Sequence, residues 1–368
     1  MSQNYDCIIV GGSITGLAAA QELSRNSDAL LIEANPKIGY LFRCSGFINT
    51  ASFEEFNLER RSIQNSISNL RVIHENKILL FKGDKVAGFV TERPELERSI
   101  LTGLEGKVAI LANTKVLKVS GDSVLTTNGT FYSDYIIGAD GTNSTVRKSI
   151  GIEDPKFVTA VQFEMNGSFE KDTATIYVGE AFMPFHLWVI PVNESLARIG
   201  IGTTLSMKEG VQRLKQLVKK YDIADLHGIE KNRFMTNTLP ITMLDSFGAG
   251  NTMLAGMAGS IIKPLSLGGI YFGMLSGKAA ADSVEDGTGV QGYRTKLDKI
   301  GLLQRMASEF AYLKMWNTLY DSSLSAGIDD IISERGAEFK LVDNNAHTTG
   351  ITSVIKLLIN SSIKYRVK

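Results

Sequence analysis

The chain has 368 residues, 43% of them hydrophobic and 21% charged, which is enough for a real core and more than a single core usually holds, so two or three substructures are expected. Lys+Arg and Asp+Glu are equal at 39 each, so no overall field draws the chain to nucleic acid, and that class of partner is excluded. With only Cys7 and Cys44, and with four scattered histidines, there is neither a disulfide framework nor a metal-ligand spacing, and no metal site is expected.

The first apolar run begins within a few residues of Met1 and leaves no room for a signal peptide, and no apolar run reaches the ~20 residues of a spanning helix. An intracellular protein is expected. Cys7-Ile8-Ile9-Val10 suits a buried parallel strand. Gly11-Gly12-Ser13-Ile14-Thr15-Gly16 then turns into Leu17-Ala18-Ala19-Ala20-Gln21-Glu22-Leu23, a good helix former with a small face. The first N–H groups of such a helix lack partners and its dipole favours negative charge, so a pyrophosphate would be held there. Ala29-Leu30-Leu31-Ile32 is a second strand, and it ends in Glu33 followed by Ala34. The acid stands at about the 20-residue spacing at which one meets an adenosine ribose. Ser13 occupies the place of the middle glycine of G-x-G-x-x-G, where it still offers an N–H and a hydroxyl.

Pro36-Lys37-Ile38-Gly39 reads as loop and leads to Arg43-Cys44-Ser45-Gly46, small and polar around one thiol. Residues 53–70 have helical spacing. Residues 77–90 resemble a hairpin, with Ile78-Leu79-Leu80-Phe81, a turn at Lys82-Gly83-Asp84-Lys85, and Val86-Ala87-Gly88-Phe89-Val90. Arg93 follows, then a helix over 95–105 and one or two strands over 108–119, which include Val116. Tyr135-Ile136-Ile137-Gly138-Ala139-Asp140-Gly141 is another strand ending in an acid within a glycine turn, and a carboxylate there could meet ribityl or ribose hydroxyls. Ser144 stands at a helix start.

From 161 to 204 short alternating strands dominate, which argues for an antiparallel sheet separate from the parallel one. Residues 207–221 form a basic amphipathic helix whose charged face is solvated surface. Thr252-Met253-Leu254 returns to strand. Gly268-Gly269-Ile270 makes a second glycine turn before a helix over 271–284. Two distant glycine turns that open helices suggest one extended cofactor touched at both ends. Beyond 290 the chain reads as helical. Its last stripe, Ile351, Val354, Ile355 and Leu358, rests either on the body of the protein or on a lipid surface.

The N-terminal unit, Gly138-Ala139-Asp140-Gly141 and the late Gly268-Gly269 turn, in that order, resemble the flavoprotein superfamily that includes p-hydroxybenzoate hydroxylase. Three further stretches resemble the geranylgeranyl reductases more narrowly. Pro36-Lys37-Ile38-Gly39 with Arg43-Cys44-Ser45-Gly46 is similar to their proline, glycine and R-C-G segment. His186-Leu187-Trp188-Val189-Ile190-Pro191 is similar to their Y-x-W-x-F-P element, with His186 and Ile190 as departures. Residues 256–270 are similar to their G-D-A-A-G…N-P…G-G-G-I segment, with Met257 in the place of its aspartate and Lys263 in that of its asparagine.

This resemblance implies an α/β fold, α+β overall: a Rossmann-like FAD-binding domain with a parallel sheet over 1–75, 93–155 and 248–290, an antiparallel substrate domain over 76–92 and 156–247, and a helical region over 291–368. It implies FAD held by Gly11, Gly12, Ser13, Ile14, Thr15, Gly16, Glu33 and Ala34 at one end. It implies the flavin ring between Arg43, Cys44, Ser45 and Gly46 on one side and Gly268, Gly269 and Ile270 on the other, with Arg93, Val116, Asp140, Gly141 and Met257 as further cofactor contacts. It implies Cys44 as the proton donor to an alkene carbon, and Phe185, His186, Trp188 and Pro191 as a lining for a prenyl lipid. The implied activity is saturation of isoprenoid double bonds in archaeal-type lipid precursors by a monomer, with NAD(P)H or ferredoxin as the electron donor and a peripheral membrane contact open. An aromatic monooxygenase on the same scaffold and a degenerate flavin-fold protein that binds without catalysis are the alternatives.

Overall fold

The computed structural model describes residues 4–24, 26–41, 44–227, 229, 233–319, 321–340 and 350–363. Its chain divides into two compact units, residues 1–42, 94–157 and 239–309, and residues 43–93, 158–238 and 310–368. These limits differ from the sequence-based domains, since 43–75 lie in the second unit and 291–309 in the first.

The first unit is organised on the strand Asn4–Val10, which pairs in parallel with Gly129–Gly138 on one side and Ala29–Ile32 on the other, Ile8 standing opposite Ile136 and Leu30. Ala109–Leu111 extends the sheet in parallel beyond Ala29–Ile32, and Thr252–Leu254 extends it beyond Gly129–Gly138. A strand with neighbours on both edges and layers on both faces has no solvent side, and Cys7, Ile8 and Ile9 are accordingly fully buried. Burial also pushes the Cys7 thiol far above its ordinary pKa, so this cysteine is inert core. The helices Ile14–Leu23 and Ile270–Glu285 run close together because one is alanine-rich and the other places Gly273 and Gly277 at the contact. A Cβ at Gly277 would stand 2.3 Å from Thr15 O.

The second unit is built on an eight-stranded sheet in the order Phe234–Pro240, Phe157–Asn166, Leu196–Thr203, Leu187–Pro191, Thr173–Tyr177, Asn69–His74, Lys77–Lys82, Glu338–Lys340. The strands from Phe157–Asn166 to Thr173–Tyr177 are antiparallel, as the alternation predicts, while Asn69–His74 joins Thr173–Tyr177 in parallel. The amphipathic helix Met207–Lys220 covers one face with Leu214, Leu217 and Val218 against Val161, Phe163, Ile199 and Ile201.

Two sequence expectations fail here. Residues 53–70 are not one helix: Thr50–Glu55 is helical, and the chain then becomes the strand Ile63–Ile67, which pairs with Gly88–Thr91. Tertiary pairing overrides the helical spacing. Residues 77–90 are not a hairpin either. Lys77–Lys82 turns back on Asn69–His74 through Glu75 at φ +52, whereas Gly88–Thr91 belongs to a separate three-stranded sheet with Phe47–Asn49 and Ile63–Ile67. The real hairpin lies one strand earlier, at a two-residue turn that carries no glycine.

Val354, Ile355 and Leu358 of the C-terminal stripe are buried within the second unit, where the helix Gly350–Ser362 packs on Asp321–Arg335. The close approach is set by Gly327, where a Cβ would lie 2.3 Å from Ser362 Oγ. Among the described residues no helix is long and apolar enough to cross a membrane.

Candidate functional site

In the first unit, the turn after the central strand closes on itself through glycines. Gly11 has φ +106, and a Cβ on Gly16 would stand 1.9 Å from Gly11 O. Gly12 N–H donates to Glu33 Oε2 at 2.7 Å, while Glu33 Oε1 accepts from the backbone N–H of Asn35 at 2.7 Å and from its Nδ2 at 2.5 Å. Glu33 therefore ties the turn to the end of the second strand. A carboxylate has about four lone-pair sites, so capacity is left for a ribose hydroxyl. Ala34 beside it is exposed.

The helix Ile14–Leu23 starts at Ser13 with no side-chain cap and no acid in its first turn. Ser13 Oγ instead donates to Glu97 Oε1 at 2.6 Å. The positive end of the helix, at Ile14, Thr15 and Gly16, is left to backbone N–H groups, as an anion cradle requires.

The second glycine turn has the same character. Helix Ile270–Glu285 begins at Gly269 without a side-chain cap or an acid in its first turn. It meets the first turn at Thr15, whose Oγ1 would stand 2.5 Å from a Cβ on Gly256 and 2.6 Å from one on Gly273. The two glycine turns thus come together within one unit. Met257 lies beside the second: Thr142 Oγ1 donates to its sulfur at 3.5 Å, and a Cβ on Gly269 would touch its methyl at 3.0 Å. These two uncapped, glycine-lined helix starts and the acid at the strand end fit the phosphates and ribose of a dinucleotide.

Asp140 turns toward the start of the helix Thr145–Ser149, accepting from Ser144 Oγ at 2.5 Å and Val146 N–H at 3.1 Å. Burial raises its pKa, against the lowering effect of those bonds. Gly141 follows at φ +79. Val116 is in the core with Ile32 and Val146.

In the second unit the half-buried Cys44 begins a tight turn. Gly46, at φ +74, donates its N–H to Cys44 Sγ at 3.3 Å. Gly46 O accepts from Thr91 N–H at 2.9 Å and Thr91 Oγ1 at 2.8 Å, and Ser45 O accepts from Arg198 Nη1 at 2.7 Å. Arg198 stands on the strand Leu196–Thr203. Gly200, two residues on and so on the same face, makes a seat for Trp188: a Cβ on Gly200 would lie 2.5 Å from Trp188 Cζ2. Trp188 Nε1 donates to Gln162 Oε1 at 2.9 Å, and the register Gln162, Gly200, Trp188 runs straight across three strands. The fold therefore puts the thiol turn and the indole on one face of the sheet, opposite the face that the helix Met207–Lys220 covers.

His186 is buried with its ring edge-on to Trp188, centroids 6.1 Å apart. Desolvation pushes its pKa down to about 4, so it is neutral near pH 7, and Nδ1 has no hydrogen-bond partner among the described residues. Phe185 is fully buried and its carbonyl accepts from Trp316 Nε1 at 3.3 Å. Pro191 is buried, and its carbonyl accepts from Asn65 Nδ2 at 2.8 Å. Arg93 is buried at the start of the helix Arg93–Thr102. Arg43 lies outside the described residues.

Sequence reasoning missed Arg198, Gln162 and Glu164. The signal was present, because an arginine and a glutamate at alternating positions of apolar strands are buried only when paired.

The sequence of 113–195 matches the family model described as an FAD binding domain. The digeranylgeranylglycerophospholipid reductase of Methanococcus aeolicus is 24% identical over 91% of this chain and 92% of its own length. Among solved structures, a geranylgeranyl bacteriochlorophyll reductase-like protein from Thermoplasma acidophilum superposes with a TM-score of 0.83 at 21% identity, covering 99% of this chain and 98% of that one. The p-nitrophenol 4-monooxygenase of Pseudomonas putida shares the fold at a TM-score of 0.70 and 16% identity, covering 98% and 99%. The chain is thus a flavoprotein, an FAD-dependent oxidoreductase related in sequence to the geranylgeranyl reductases.

Proposed function

We propose that the protein saturates carbon–carbon double bonds of geranylgeranyl or other prenyl chains in archaeal-type membrane-lipid precursors. The observation that carries this reading is a half-buried thiol held on the same sheet face as a glycine-seated indole. The relatives named as reductases of such lipids support it.

Glu33 would hold the adenosine of FAD and the turn from Gly11 to Gly16 its phosphates, with Gly268, Gly269 and Ile270 available to the rest of the cofactor. When bound and reduced, the flavin supplies a hydride to one carbon of the double bond. An isolated alkene is a poor hydride acceptor, so a proton must reach the other carbon as the hydride arrives. Cys44 Sγ–H, oriented by its contact with the Gly46 N–H, gives that proton, and solvent then reprotonates the sulfur. Trp188 offers the prenyl chain an apolar wall with its one polar atom already bonded to Gln162. His186, neutral and buried, is a poor acid at pH 7 and leaves the proton to Cys44. NAD(P)H or ferredoxin would be the electron donor, and a monomer would suffice for this reading.

The test is spectroscopic. Purified protein should be yellow, bleach with dithionite, and reoxidise without oxygen when a geranylgeranyl lipid is added, with a gain of two hydrogens per double bond in the lipid. A bleached flavin that ignores prenyl lipids but consumes oxygen and NAD(P)H with an aromatic compound would replace the reductase by a monooxygenase. A colourless protein that takes up no FAD would leave only a binding role.

A further inference from the structure

Arg198 is fully buried in the sheet of the second unit, and its guanidinium uses every donor it has. Nε donates to Glu164 Oε1 at 3.1 Å. Nη1 donates to Ser45 O at 2.7 Å and Thr91 O at 2.9 Å, and Nη2 to Gln64 Oε1 at 2.7 Å and Glu92 Oε2 at 3.3 Å. Glu92 is in turn held by both ends of the Arg233 guanidinium at 2.9 Å. Two arginines thus face two glutamates, and the charge of Arg198 is balanced on the side away from the turn.

The two carbonyls that Nη1 reaches are the ones that set the Cys44 turn. Ser45 is the residue after the thiol, and Thr91 holds Gly46 O through both its N–H and its hydroxyl. A Cβ on Gly46 would lie 2.6 Å from Arg198 Nη1 and 2.2 Å from Thr91 O, so the turn is seated against the guanidinium with no room to spare. A turn of three residues cannot hold a thiol in one orientation by itself. Here a charged, planar fork fixed by a glutamate on each side does so, and a lysine, as a point charge, cannot reach both carbonyls in that geometry.

We propose that Arg198 is the positioning residue of Cys44: its fork on Ser45 O and Thr91 O holds the turn in which Gly46 N–H meets the thiol. This deepens the reading of Cys44 as the proton donor and rests on it for its effect on turnover. Its effect on the thiol itself does not depend on that reading. Arg198 touches neither substrate nor flavin in this role.

The experiment uses the full chain loaded with FAD and follows alkylation of Cys44 by iodoacetamide, read by peptide mass, since Cys7 is fully buried and silent. Two variants are compared with the parent: Arg198→Lys, which keeps the charge, and Arg198→Met with Glu164→Gln, which keeps the pocket neutral. In each the freed turn exposes the thiol, and alkylation speeds up about fivefold or more, the factor that goes with one net hydrogen bond. Turnover falls on the order of 100-fold in kcat with KM unchanged, as for a misplaced reacting group. Arg233→Met, which touches the same glutamates but not the turn, leaves alkylation at the parent rate. If either Arg198 variant folds, takes up FAD and alkylates like the parent, the proposal is overturned. If the neutral pair fails to fold, Arg198→Lys alone decides in the same way. Faster alkylation with unchanged turnover would sustain the positioning of the thiol and instead remove Cys44 from the proposed reaction, so the two failures are told apart.

Discussion

The two units are built around different materials. In the first, almost everything a dinucleotide would touch is backbone: glycines at 11, 16, 256 and 273, and the uncapped starts of two helices. In the second, the groups of interest are side chains, and Arg198, Gln162, Thr91 and Cys44 come from four separate stretches of the chain. A backbone cradle is local, tolerates change at exposed side chains such as Ser13, and fails when a glycine gains a methyl. A side-chain cluster is long-range, and it fails when one buried partner is lost. Substitutions in the two regions should differ in kind as well as in size.

The largest effect should come from the cradle. Gly16→Ala forces a Cβ to within 1.9 Å of Gly11 O, a backbone atom of a closed turn that cannot swing aside. Overpacking of this sort costs about 3 kcal/mol or more. The variant should be recovered poorly and colourless, and chemical denaturation with FAD titration checks both. A variant that keeps the parent stability and colour would show the turn to be looser than its contacts imply.

In the second unit the largest pH effect should come from His186. Burial lowers its pKa in the folded protein to about 4 from the ordinary 6.5. Above pH 6.5 the imidazole is neutral in both states and stability is full. As pH falls below 6.5 the unfolded chain takes up the proton first, and stability is lost until the folded pKa is reached near pH 4. At about 1.4 kcal/mol per pKa unit, the loss attributable to this residue is on the order of 3 kcal/mol. The difference in unfolding free energy between parent and His186→Phe, measured from pH 7 to pH 4, should shrink or reverse by that amount. A difference that stays constant across the range would mean that the ring takes up its proton as readily in the fold as in the unfolded chain.

The same contrast explains what was legible in the sequence. The strand, glycine turn, helix and acid of the first unit are contiguous, so 4–33 could be read directly, and the second glycine turn repeats the signal. The alternation over 161–204 gave the central strands of the other sheet. Residues 53–70 and 77–90 were misread because their strands are defined by partners far away: Ile63–Ile67 and Gly88–Thr91 meet each other, while Lys77–Lys82 turns back on Asn69–His74. Cys44, Trp188 and Asp140 could be named from the resemblance. That Asp140 turns to the helix Thr145–Ser149, that Ser13 turns to Glu97, and that Arg198 grips the thiol turn are matters of side-chain direction, which no spacing encodes.

Glu33 sits where local and long-range contacts meet and should show an intermediate effect. Glu33→Gln keeps the shape but removes the charge that takes Gly12 N–H and Asn35. A hydrogen bond to a charged group contributes about 1.5–3 kcal/mol, so FAD affinity should fall by roughly one to two decades. Isothermal titration of the apoprotein measures this. An unchanged affinity would mean that Glu33 serves the turn alone.

The smallest effect should fall on the back of the second sheet and separate its two faces. Ser206 caps the helix Met207–Lys220 in a reciprocal box: its Oγ accepts Glu209 N–H at 3.4 Å, while Glu209 Oε2 accepts Ser206 N–H at 3.0 Å. Losing such a cap lowers Tm by about 2–4 °C in a chain of this size or less. The helix lies on Val161, Phe163, Ile199 and Ile201, whose neighbours along the strands, Gln162, Arg198 and Gly200, point the other way. Ser206→Ala should therefore melt earlier yet keep the parent rate of Cys44 alkylation and the parent emission of Trp188. A change in either would mean that strain passes through the sheet from one face to the other, and that the thiol turn depends on more of the fold than the Arg198 fork.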